Sequence, residues 1–317
     1  MNKATPIYIA GHRGLVGSAL LRALSERGYT NLITRTRAEL ELTNQQAVRE
    51  FFITEKPAVV FLAAAKVGGI MANNTYKADF ISDNLVIASN VIRSAYDAGV
   101  SKLINLGSSC IYPKHAPQPM REEHLLTGPL EPTNEPYAIA KISALKLCRY
   151  FHEQYGVNFY SAMPTNLYGP GDHFDLQTSH VLAALIRKID DAKRADSAVT
   201  LWGDGSPLRE FLHVDDLADA LIFLAEKVDA ADIQPHVADL FLNVGTESEI
   251  SIRDLAALIS RVEGYTGSFE WDTTKPNGTP RKLMDSSRIH ALGWQPRISL
   301  EDGIRRTYEW YSERADT

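Results

Sequence analysis

The hydrophobic and polar positions in the first half of the chain alternate between two periodic patterns. Short apolar runs rich in β-branched and aromatic residues predict strands at 6–10, 31–36, 58–65, 102–109 and 158–166. Longer segments with apolar residues at helical spacing predict helices at 15–28, 80–98 and 137–155. Because parallel strands are joined through helices, this alternation predicts an α/β fold, a doubly wound parallel (Rossmann) sheet covered on both faces.

After residue 170 the alternation is less regular. Helices are predicted at 178–194, 214–227 and 251–263, separated by loop sequences such as "YGPGDHF", "WGDGSP" and "KPNGTPRK". We therefore expect a smaller C-terminal α/β lobe that closes over the carboxyl edge of the sheet. The larger predicted domain is 1–172, joined by about 212–245, and the predicted smaller lobe is 173–211 with 246–317.

Composition narrows the class of protein. The 317 residues are 44% hydrophobic and 23% charged, with a formal net charge of -6, which argues against nucleic-acid binding through bulk electrostatics. No run approaches the roughly 20 apolar residues that span a bilayer, so no membrane partner is expected. Two cysteines are too few for a disulfide framework, and the histidines show no metal-ligand spacing. We expect a cytoplasmic protein without a metal.

A glycine-rich turn follows the first predicted strand. In "GHRGLVG", Gly11, Gly14 and Gly17 stand between that strand and the first helix. Glycine permits a tight turn and close approach of the backbone to a pyrophosphate at the helix N-terminus. Three glycines in a turn can be merely structural, but this position after a strand and before a helix is typical of a dinucleotide site.

The end of the second predicted strand indicates which dinucleotide is bound. An NAD enzyme tends to place an acidic residue there, whereas this chain has Arg35 and Arg37 in "TRTR", with Arg13 in the glycine turn. Guanidinium groups suit a 2′-phosphate, so NADP(H) is the expected cofactor. The alternative is that these arginines form a solvated surface, and Glu39 and Glu41 follow closely.

A serine, a tyrosine and a lysine form the candidate reductive site. Tyr137 and Lys141 are four residues apart, on one face of a predicted helix, and Ser108 or Ser109 ends the fourth strand. We expect the lysine charge to lower the pKa of the phenol, so that it exchanges a proton with a carbonyl. An exposed helical face is the alternative explanation for the tyrosine–lysine spacing.

These motifs together resemble the extended short-chain dehydrogenase/reductase superfamily over essentially the whole chain. Within it, "AGHRGLVGSA", "GSSCIYP", "EPTNEPYAIAKI", "MPTNLYGP" and "REFLHVDD" are similar to the GDP-L-fucose synthase family. The resemblance implies conversion of GDP-4-keto-6-deoxy-D-mannose to GDP-L-fucose, through epimerisation at C3 and C5 and NADPH reduction of the C4 ketone. It also implies a homodimer, for which the helices at 80–98 and 137–155 could form a four-helix contact.

The resemblance also implies the roles of individual residues. The implied catalytic residues are Ser108, Tyr137 and Lys141, with Cys110 and His180 as the acid–base pair of the epimerisation. The implied NADP(H) contacts are Gly11, His12, Arg13, Gly14, Leu15, Val16, Gly17, Arg37, Leu62, Ala63, Ala64, Lys141, Pro164, Thr165, Asn166, Leu167 and His180. The implied contacts with the GDP-sugar are Ser108, Ser109, Cys110, Lys188, Trp202, Arg209 and Lys282.

Two details of this assignment need explanation. Lys188 stands where the family has a substrate-binding arginine, and the neighbouring Arg187 could replace it because lysine lacks the bidentate fork. Cys110 and His180 have chemistry suited to inverting a carbon, because the reference pKa values of thiol and imidazole lie within about two units of neutral. A simple reductase needs neither group.

Two other functions are compatible with this scaffold, and four other residues have a structural interpretation. A nucleotide-sugar dehydratase or 4-epimerase with tightly held NAD uses the same scaffold, and a non-catalytic cofactor-sensing protein is a third possibility. Cys148 is expected to be a buried structural thiol, and His213 is expected to organise a turn before a helix. Asp215 and Asp216 are expected to begin that helix.

Overall fold

The computed structural model describes residues 1–176, 178–275 and 277–315. The strands are β1 (Ile7–Ala10), β2 (Leu32–Ile33), β3 (Val59–Leu62), β4 (Lys102–Leu106), β5 (Asn158–Pro164), β6 (Asn166–Tyr168), β7 (Val199–Trp202), β8 (Leu208–His213), β9 (Phe241–Val244), β10 (Glu249–Ser251), β11 (Phe269–Asp272) and β12 (Arg281–Lys282).

The helices are α1 (Leu15–Glu26), α2 (Gln45–Glu55), α3 (Ile70–Thr75), α4 (Lys77–Asp97), α5 (Glu135–Tyr155), α6 (Val181–Ala195), α7 (Val214–Lys227), α8 (Ala230–Ile233), α9 (Ile252–Glu263), α10 (Ser287–Ala291) and α11 (Leu300–Ala315). Short 3-10 helices lie at Ser109–Ile111 and Glu122–His124. None of the helices in the described ranges is long and apolar enough to cross a membrane.

The larger sheet is parallel throughout, with the order β2-β1-β3-β4-β5-β9 in the described chain. Its central strands are buried on both faces, as their continuous apolar sequences predict. The chain reverses direction across the sheet at β1, because β2 lies on one side of β1 and β3 on the other. Ligands of doubly wound sheets bind beyond the carboxyl ends of the strands at this reversal.

Two layers of helices cover the larger sheet. α1 and α7 pack together on one face, while α2, α4 and α5 pack on the other, and each layer has its own apolar core. Cys148 is fully buried in the second of these cores, as expected for a structural thiol. The predicted α/β class with a doubly wound parallel sheet is confirmed.

A smaller lobe is built from the later part of the chain. β8 pairs with β6, β10 and β12, and β7 pairs with β11, while α6, α9 and α11 enclose a third apolar core. Met284, Ile289 and Trp294, in contrast, pack in the first core of the larger sheet. The smaller lobe is therefore tied back to the sheet by the segment after β12. The domain boundaries given above stay a prediction.

Candidate active site

The glycine turn between β1 and α1 lies against the end of β3. Gly11 has φ of +87°, and a Cβ there would stand 2.8 Å from the backbone nitrogen of Ala64. A Cβ on Gly17 would stand 2.2 Å from the carbonyl oxygen of Gly11. Both positions therefore need glycine, and their packing places Ala63 and Ala64 beside the turn at the carboxyl edge of the sheet.

The N-terminus of α1 is shaped to receive a phosphate. Gly14 caps the helix with no side-chain hydrogen bond, so the first helical amides are available to a bound anion. His12, in the same turn, has a buried Nδ1 with no hydrogen-bond partner among the described residues. Leu15 and Val16 form the first helical turn. This turn fits the pyrophosphate of a dinucleotide, because no side chain of the cap occupies the first helical amides.

The arginines near the predicted 2′-phosphate site differ in their surroundings. Arg35 pairs with Glu55 and donates to the carbonyl of Thr34, so it is held against α2. Arg37 leaves 83% of its side chain exposed and pairs with Glu41, with 2.6 Å between Nε and Oε2.

Arg13 completes this end of the site. Glu39 has its pKa lowered chiefly by hydrogen bonds from Thr36, and to a smaller extent by the charges of Arg35 and Arg13. Arg13 lies in the glycine turn, and Arg37 lies in the segment after β2. Arg13 and Arg37 stay the predicted contacts of a 2′-phosphate.

The reductive residues meet where β4 ends beside α5. Lys141 is buried, and its Nζ donates a 2.7 Å hydrogen bond to the carbonyl of Leu106, the last residue of β4. The same Nζ lies 5.7 Å from the ring centroid of Tyr137. Ser108 and Ser109 follow β4 directly, and Ser108 caps the 3-10 helix that contains Cys110.

The ionisation of these groups differs from the sequence expectation. Burial raises the pKa of Tyr137, and a thiolate at Cys110 would raise it further. Burial lowers the pKa of Lys141 to about 8. The expectation of a lowered phenol pKa is therefore wrong for this structure, because the pKa of Tyr137 is raised and removal from water is the largest cause. The phenol stays protonated at neutral pH and can donate a proton.

Cys110 lies in the same buried environment. Its backbone nitrogen donates to Oγ of Ser108 at 3.4 Å, and burial raises the pKa of its thiol. A hydrogen bond from Ser108 and the charges of Lys282 and Lys141 oppose this shift. The thiol thus belongs to the turn that begins at Ser108, and the charges of Lys141 and Lys282 act on it.

His180 approaches the same lysine from the smaller lobe. It is the residue before α6, and burial followed by the charge of Lys282 lowers the pKa of its imidazole. Lys282 is the register partner of Arg209 in the pairing of β12 with β8, and burial lowers the pKa of both. Lys282 therefore influences the protonation of Cys110 and of His180 at once.

Trp202 marks the outer end of the predicted substrate side. It ends β7 with 62% of its surface exposed, and the Nζ atoms of Lys188 and Lys275 lie 5.9 and 5.8 Å from its ring. Lys188 also donates to the carbonyl of Thr200 at 3.2 Å. Arg187 instead pairs with Asp191 and donates to the carbonyl of Phe174, so it does not take the place of Lys188 beside Trp202.

The remaining predicted contacts lie at the carboxyl edge of the sheet. Pro164 ends β5, Thr165 donates its backbone N–H to the carbonyl of Val244, and Leu167 belongs to β6. Asn166 uses its side-chain nitrogen to donate to the carbonyl of Glu210 at 2.7 Å. Leu62 ends β3. His213, outside the predicted site, caps α7 by accepting from the backbone of Asp215, as expected for an organiser of that turn.

Two buried polar residues beside Lys282 were missed by the sequence reasoning. Glu210 and Asn243 are fully buried and hydrogen-bonded to several loops that surround the site. Their signal in the sequence was a polar residue inside an apolar strand, in "REFLH" and "FLNV". Such a residue must find internal partners, and here those partners lie in the segments 112–122, 246–247 and 284–285.

Comparison with known proteins gives a consistent result. Residues 7–238 match the NAD dependent epimerase/dehydratase family. The chain is 57% identical over 311 residues to GDP-L-fucose synthase 1 of Arabidopsis thaliana, covering 98% of this chain and 94% of that protein. It is 53% identical over 314 residues to GDP-L-fucose synthase of Escherichia coli (strain K12), covering 98% and 97%.

Solved structures agree with this relationship. A GDP-mannoheptose C4 reductase from Campylobacter jejuni, solved with NADP bound, is 40% identical and superposes with a TM-score of 0.91, covering 98% of this chain and 99% of that one. Together with the relatives named above, this NADP-bound structure confirms NADP(H) as the cofactor. The chain belongs to the NAD dependent epimerase/dehydratase family and, within it, to the GDP-L-fucose synthases.

Proposed function

We propose that this enzyme converts GDP-4-keto-6-deoxy-D-mannose to GDP-L-fucose by epimerisation at C3 and C5 followed by NADPH-dependent reduction at C4. The observation that carries the proposal is the position of Cys110, whose backbone nitrogen donates to Oγ of Ser108 in the turn that follows β4. The thiol of Cys110 is influenced by Lys141 of the reductive group and by Lys282, and Lys282 also influences His180. A catalyst of reduction alone needs no such acid–base pair beside its proton donor.

Reduction uses the groups at the end of β4. NADPH, when bound, supplies the hydride for C4. Tyr137, whose pKa is raised by burial, donates its proton to the C4 oxygen, and Ser108 hydrogen-bonds the same oxygen. Lys141 stabilises the charge that develops there, because most of its ammonium groups are protonated below pH of about 8.

Epimerisation uses the same oxygen site with a different pair of groups. Protons at C3 and C5 are acidic because loss of either places charge on the C4 oxygen, where Ser108 and Tyr137 are donors. One member of the Cys110–His180 pair removes the proton, and the other returns one to the opposite face of the carbon. Because the pKa of the thiol is raised and that of the imidazole is lowered, both groups are neutral at neutral pH. The thiol can therefore donate a proton and the imidazole can accept one without a preceding proton transfer.

The test follows solvent deuterium into the sugar. The keto-sugar is incubated in deuterated water with oxidised NADP, and exchange at C3 and C5 is measured by NMR. We expect Cys110→Ser to slow exchange by about a hundredfold or more, because a hydroxyl is far too weak an acid. His180→Gln should show the same class of defect. With NADPH present, Cys110→Ser should still reduce the ketone and yield an unepimerised 6-deoxy sugar.

Cys148→Ser is the matched control. Cys148 is the chain's other cysteine, is also buried, and lies in the C-terminal half of α5. It should leave exchange at both carbons unchanged. Exchange at the wild-type rate in the Cys110→Ser enzyme would return the thiol to a structural role, and would leave a C4 reductase as the better description.

We also propose a homodimer formed through α4 and α5. Val86 of α4 and Ile139 and Tyr150 of α5 are exposed large hydrophobic residues on two helices that pack side by side. A second copy of this face would bury them in a four-helix contact. Light scattering should show a monomer for Ile139→Glu and a dimer for Leu292→Glu, which places the same charge on an exposed leucine elsewhere. A monomeric wild type would overturn the proposal.

A cytoplasmic location is the last part of the proposal. Both cysteines are free thiols in the structure, which suits a reducing compartment. Fractionation of cells that produce the native protein would test it, and recovery outside the cytoplasm would contradict it.

A further inference from the structure

A buried asparagine joins four parts of the chain next to the candidate site. Asn243 of β9 is fully buried, and its backbone nitrogen donates to Oε1 of Glu122 at 3.1 Å. Its side-chain nitrogen donates to the carbonyls of Met120 and Asp285 at 3.1 and 3.0 Å. Its side-chain oxygen accepts a 2.6 Å hydrogen bond from the hydroxyl of Tyr112. We call Asn243 and these four partners the Asn243 hub.

One arm of the hub holds the turn that carries Cys110. Tyr112 is the residue directly after the 3-10 helix Ser109–Ile111, and its side chain is buried. Burial raises the pKa of its phenol, so the hydroxyl is a stable hydrogen-bond donor to Asn243. This bond holds the C-terminal end of the Cys110 turn against Asn243.

The other arms hold the strand that carries Lys282. Met120 donates its backbone N–H to the carbonyl of Leu283 and accepts from the backbone N–H of Asp285, both at 2.8 Å. Asn243 then binds the carbonyls of Met120 and Asp285 together. The segment immediately after Lys282 is thus positioned by the same amide group that positions the Cys110 turn.

Lys141 and the end of the turn nearest β4 are held by other contacts, although Oγ of Ser108 also accepts from the backbone nitrogen of Cys110. Ser108 stands at the near end of the turn, directly after β4, where Gly107 donates to the carbonyl of Ala162 at 2.8 Å. Lys141 is held by its hydrogen bond to Leu106. Loss of the Tyr112 contact should therefore displace the thiol of Cys110 more than Ser108 or Lys141.

We propose that Asn243, acting through Tyr112, is a positioning residue for epimerisation: it holds the turn that carries Cys110 in place relative to the segment that follows Lys282. This inference rests on the proposed function. It predicts that the hub governs proton exchange at C3 and C5 separately from hydride transfer at C4. Displacement of a reacting group by about 1 Å can cost on the order of a hundredfold in rate, so a small shift of this turn is sufficient.

The test is the Tyr112→Phe enzyme, which removes one hydroxyl and little volume. Two quantities are measured: deuterium exchange at C3 and C5 with oxidised NADP, and the ratio of unepimerised to epimerised product in a single turnover with NADPH. We expect exchange to slow by about tenfold or more while hydride transfer changes less than about twofold. The product should shift toward the unepimerised sugar.

Tyr160→Phe is the matched control. Tyr160 is another fully buried tyrosine, and its hydroxyl donates to the carbonyls of Leu224 and Val228, away from the site. A loss of folded enzyme lowers both reactions equally and leaves the product ratio unchanged, as expected for Tyr160→Phe. Titration of folded sites with NADPH corrects the rates of both variants for any unfolded fraction.

The outcomes separate this inference from the function on which it rests. If wild type exchanges deuterium and Cys110→Ser does not, a wild-type product ratio in Tyr112→Phe overturns the role of the hub alone. If wild type itself exchanges at neither carbon, the proposed epimerisation fails and the hub has no reaction to position. A raised ratio in Tyr112→Phe with a wild-type ratio in Tyr160→Phe supports the inference.

Discussion

Burial shifts the pKa values of individual side chains at this site more than neighbouring charges do. Tyr137, Lys141, Cys110 and His180 all have pKa values shifted toward their neutral forms, with removal from water as the largest cause in each case. The positive charges of Lys282 and Lys141 oppose that shift only at the thiol. The site is therefore a set of neutral proton donors and acceptors grouped around two lysines, which suits proton exchange with a neutral ketone.

Lys141 gives a prediction about pH. Its folded pKa of about 8 means that the ammonium is charged below that pH and is lost above it. We expect kcat/KM for ketone reduction to fall as pH rises through about 8, because this parameter reports the ionisation of the free enzyme. A pH–rate profile with NADPH and the keto-sugar measures the effect. The fall should be absent in the residual activity of Lys141→Met, and a flat wild-type profile across this range would contradict the prediction.

Arg37 gives a prediction about cofactor choice. Its exposed guanidinium and that of Arg13 are the charges available to a 2′-phosphate, and loss of one charge-assisted contact should weaken NADPH binding about tenfold to a hundredfold. Titration of Arg37→Ala with both cofactors should show that NADH binding changes little. Arg305→Ala is the control, since Arg305 is also exposed and paired with a glutamate one turn away. Equal affinity of wild type for NADPH and NADH would refute the assignment.

At the scale of elements, the helices that periodicity predicted lie close to their predicted bounds, whereas α11 was not predicted and β2 is shorter than predicted. α7 was predicted at 214–227 and has these bounds, because its apolar face, acidic first turn and flanking polar residues agree. α5 begins two residues earlier than predicted, since Pro136 is tolerated in the first helical turn. β2 contains only Leu32–Ile33 of the predicted 31–36, because the chain turns at Thr36, whose carbonyl accepts from Leu40.

The glycine turn could be predicted from its local sequence, whereas Cys110, His180 and Lys282 were assigned to one site only through the family resemblance. The turn is local, so its glycine spacing and the flanking strand and helix contain the necessary information. The position of Lys282 is fixed by the pairing of β12 with β8 and by Asn243 and Glu210, which hold the following segment. Those contacts join residues far apart in the chain, and the short strand β12 has no periodic pattern that would predict them.

The packing of this turn gives a prediction for α1. Gly17→Ala would place a methyl group 2.2 Å from the carbonyl oxygen of Gly11, so the turn must move. We expect a loss of about 1–3 kcal/mol in the free energy of unfolding, with weakened NADPH binding. Gly14→Ala is the comparison, because its nearest neighbour would be 3.5 Å away and its φ of -80° suits alanine. Denaturant unfolding without cofactor measures both, and equal stabilities would show that the turn adapts freely.

At the scale of the whole molecule, the residues of the predicted active site come from both lobes, so we expect function to depend on how the two lobes are held together. The larger sheet supplies the cofactor turn and the reductive residues, while the smaller lobe supplies His180, Arg209 and Lys282. The Asn243 hub and the carboxylate of Glu210, which accepts from the backbone N–H groups of Met284 and Thr246, connect them. The stability of the smaller lobe therefore matters for catalysis even where its residues are far from the substrate.

Glu263 provides a test of that stability. It ends α9 with only 3% exposure, and neither side-chain oxygen has a hydrogen-bond partner among the described residues. Burial, followed by the nearby charge of Asp190, raises its pKa to about 9, with a smaller opposing effect of Lys193. In the unfolded chain the same carboxyl loses its proton near pH of about 4.3. Between these two values the folded state holds one more proton than the unfolded state, so this group makes stability fall as pH rises.

Replacement of Glu263 by glutamine should remove that dependence. Glutamine has the shape of the protonated acid and no charge to bury, so Glu263→Gln should match wild type at the acid end of this window. It should become more stable than wild type as pH rises, by at least about 1 kcal/mol near pH 8. Urea unfolding at several pH values, with exposed Glu309→Gln as the control for loss of one carboxylate, measures the difference. The free energies of unfolding of wild type and Glu309→Gln should change in parallel from pH 5 to 9. If those of wild type and Glu263→Gln also stay parallel, Glu263 is not protonated in the folded enzyme and does not make its stability depend on pH.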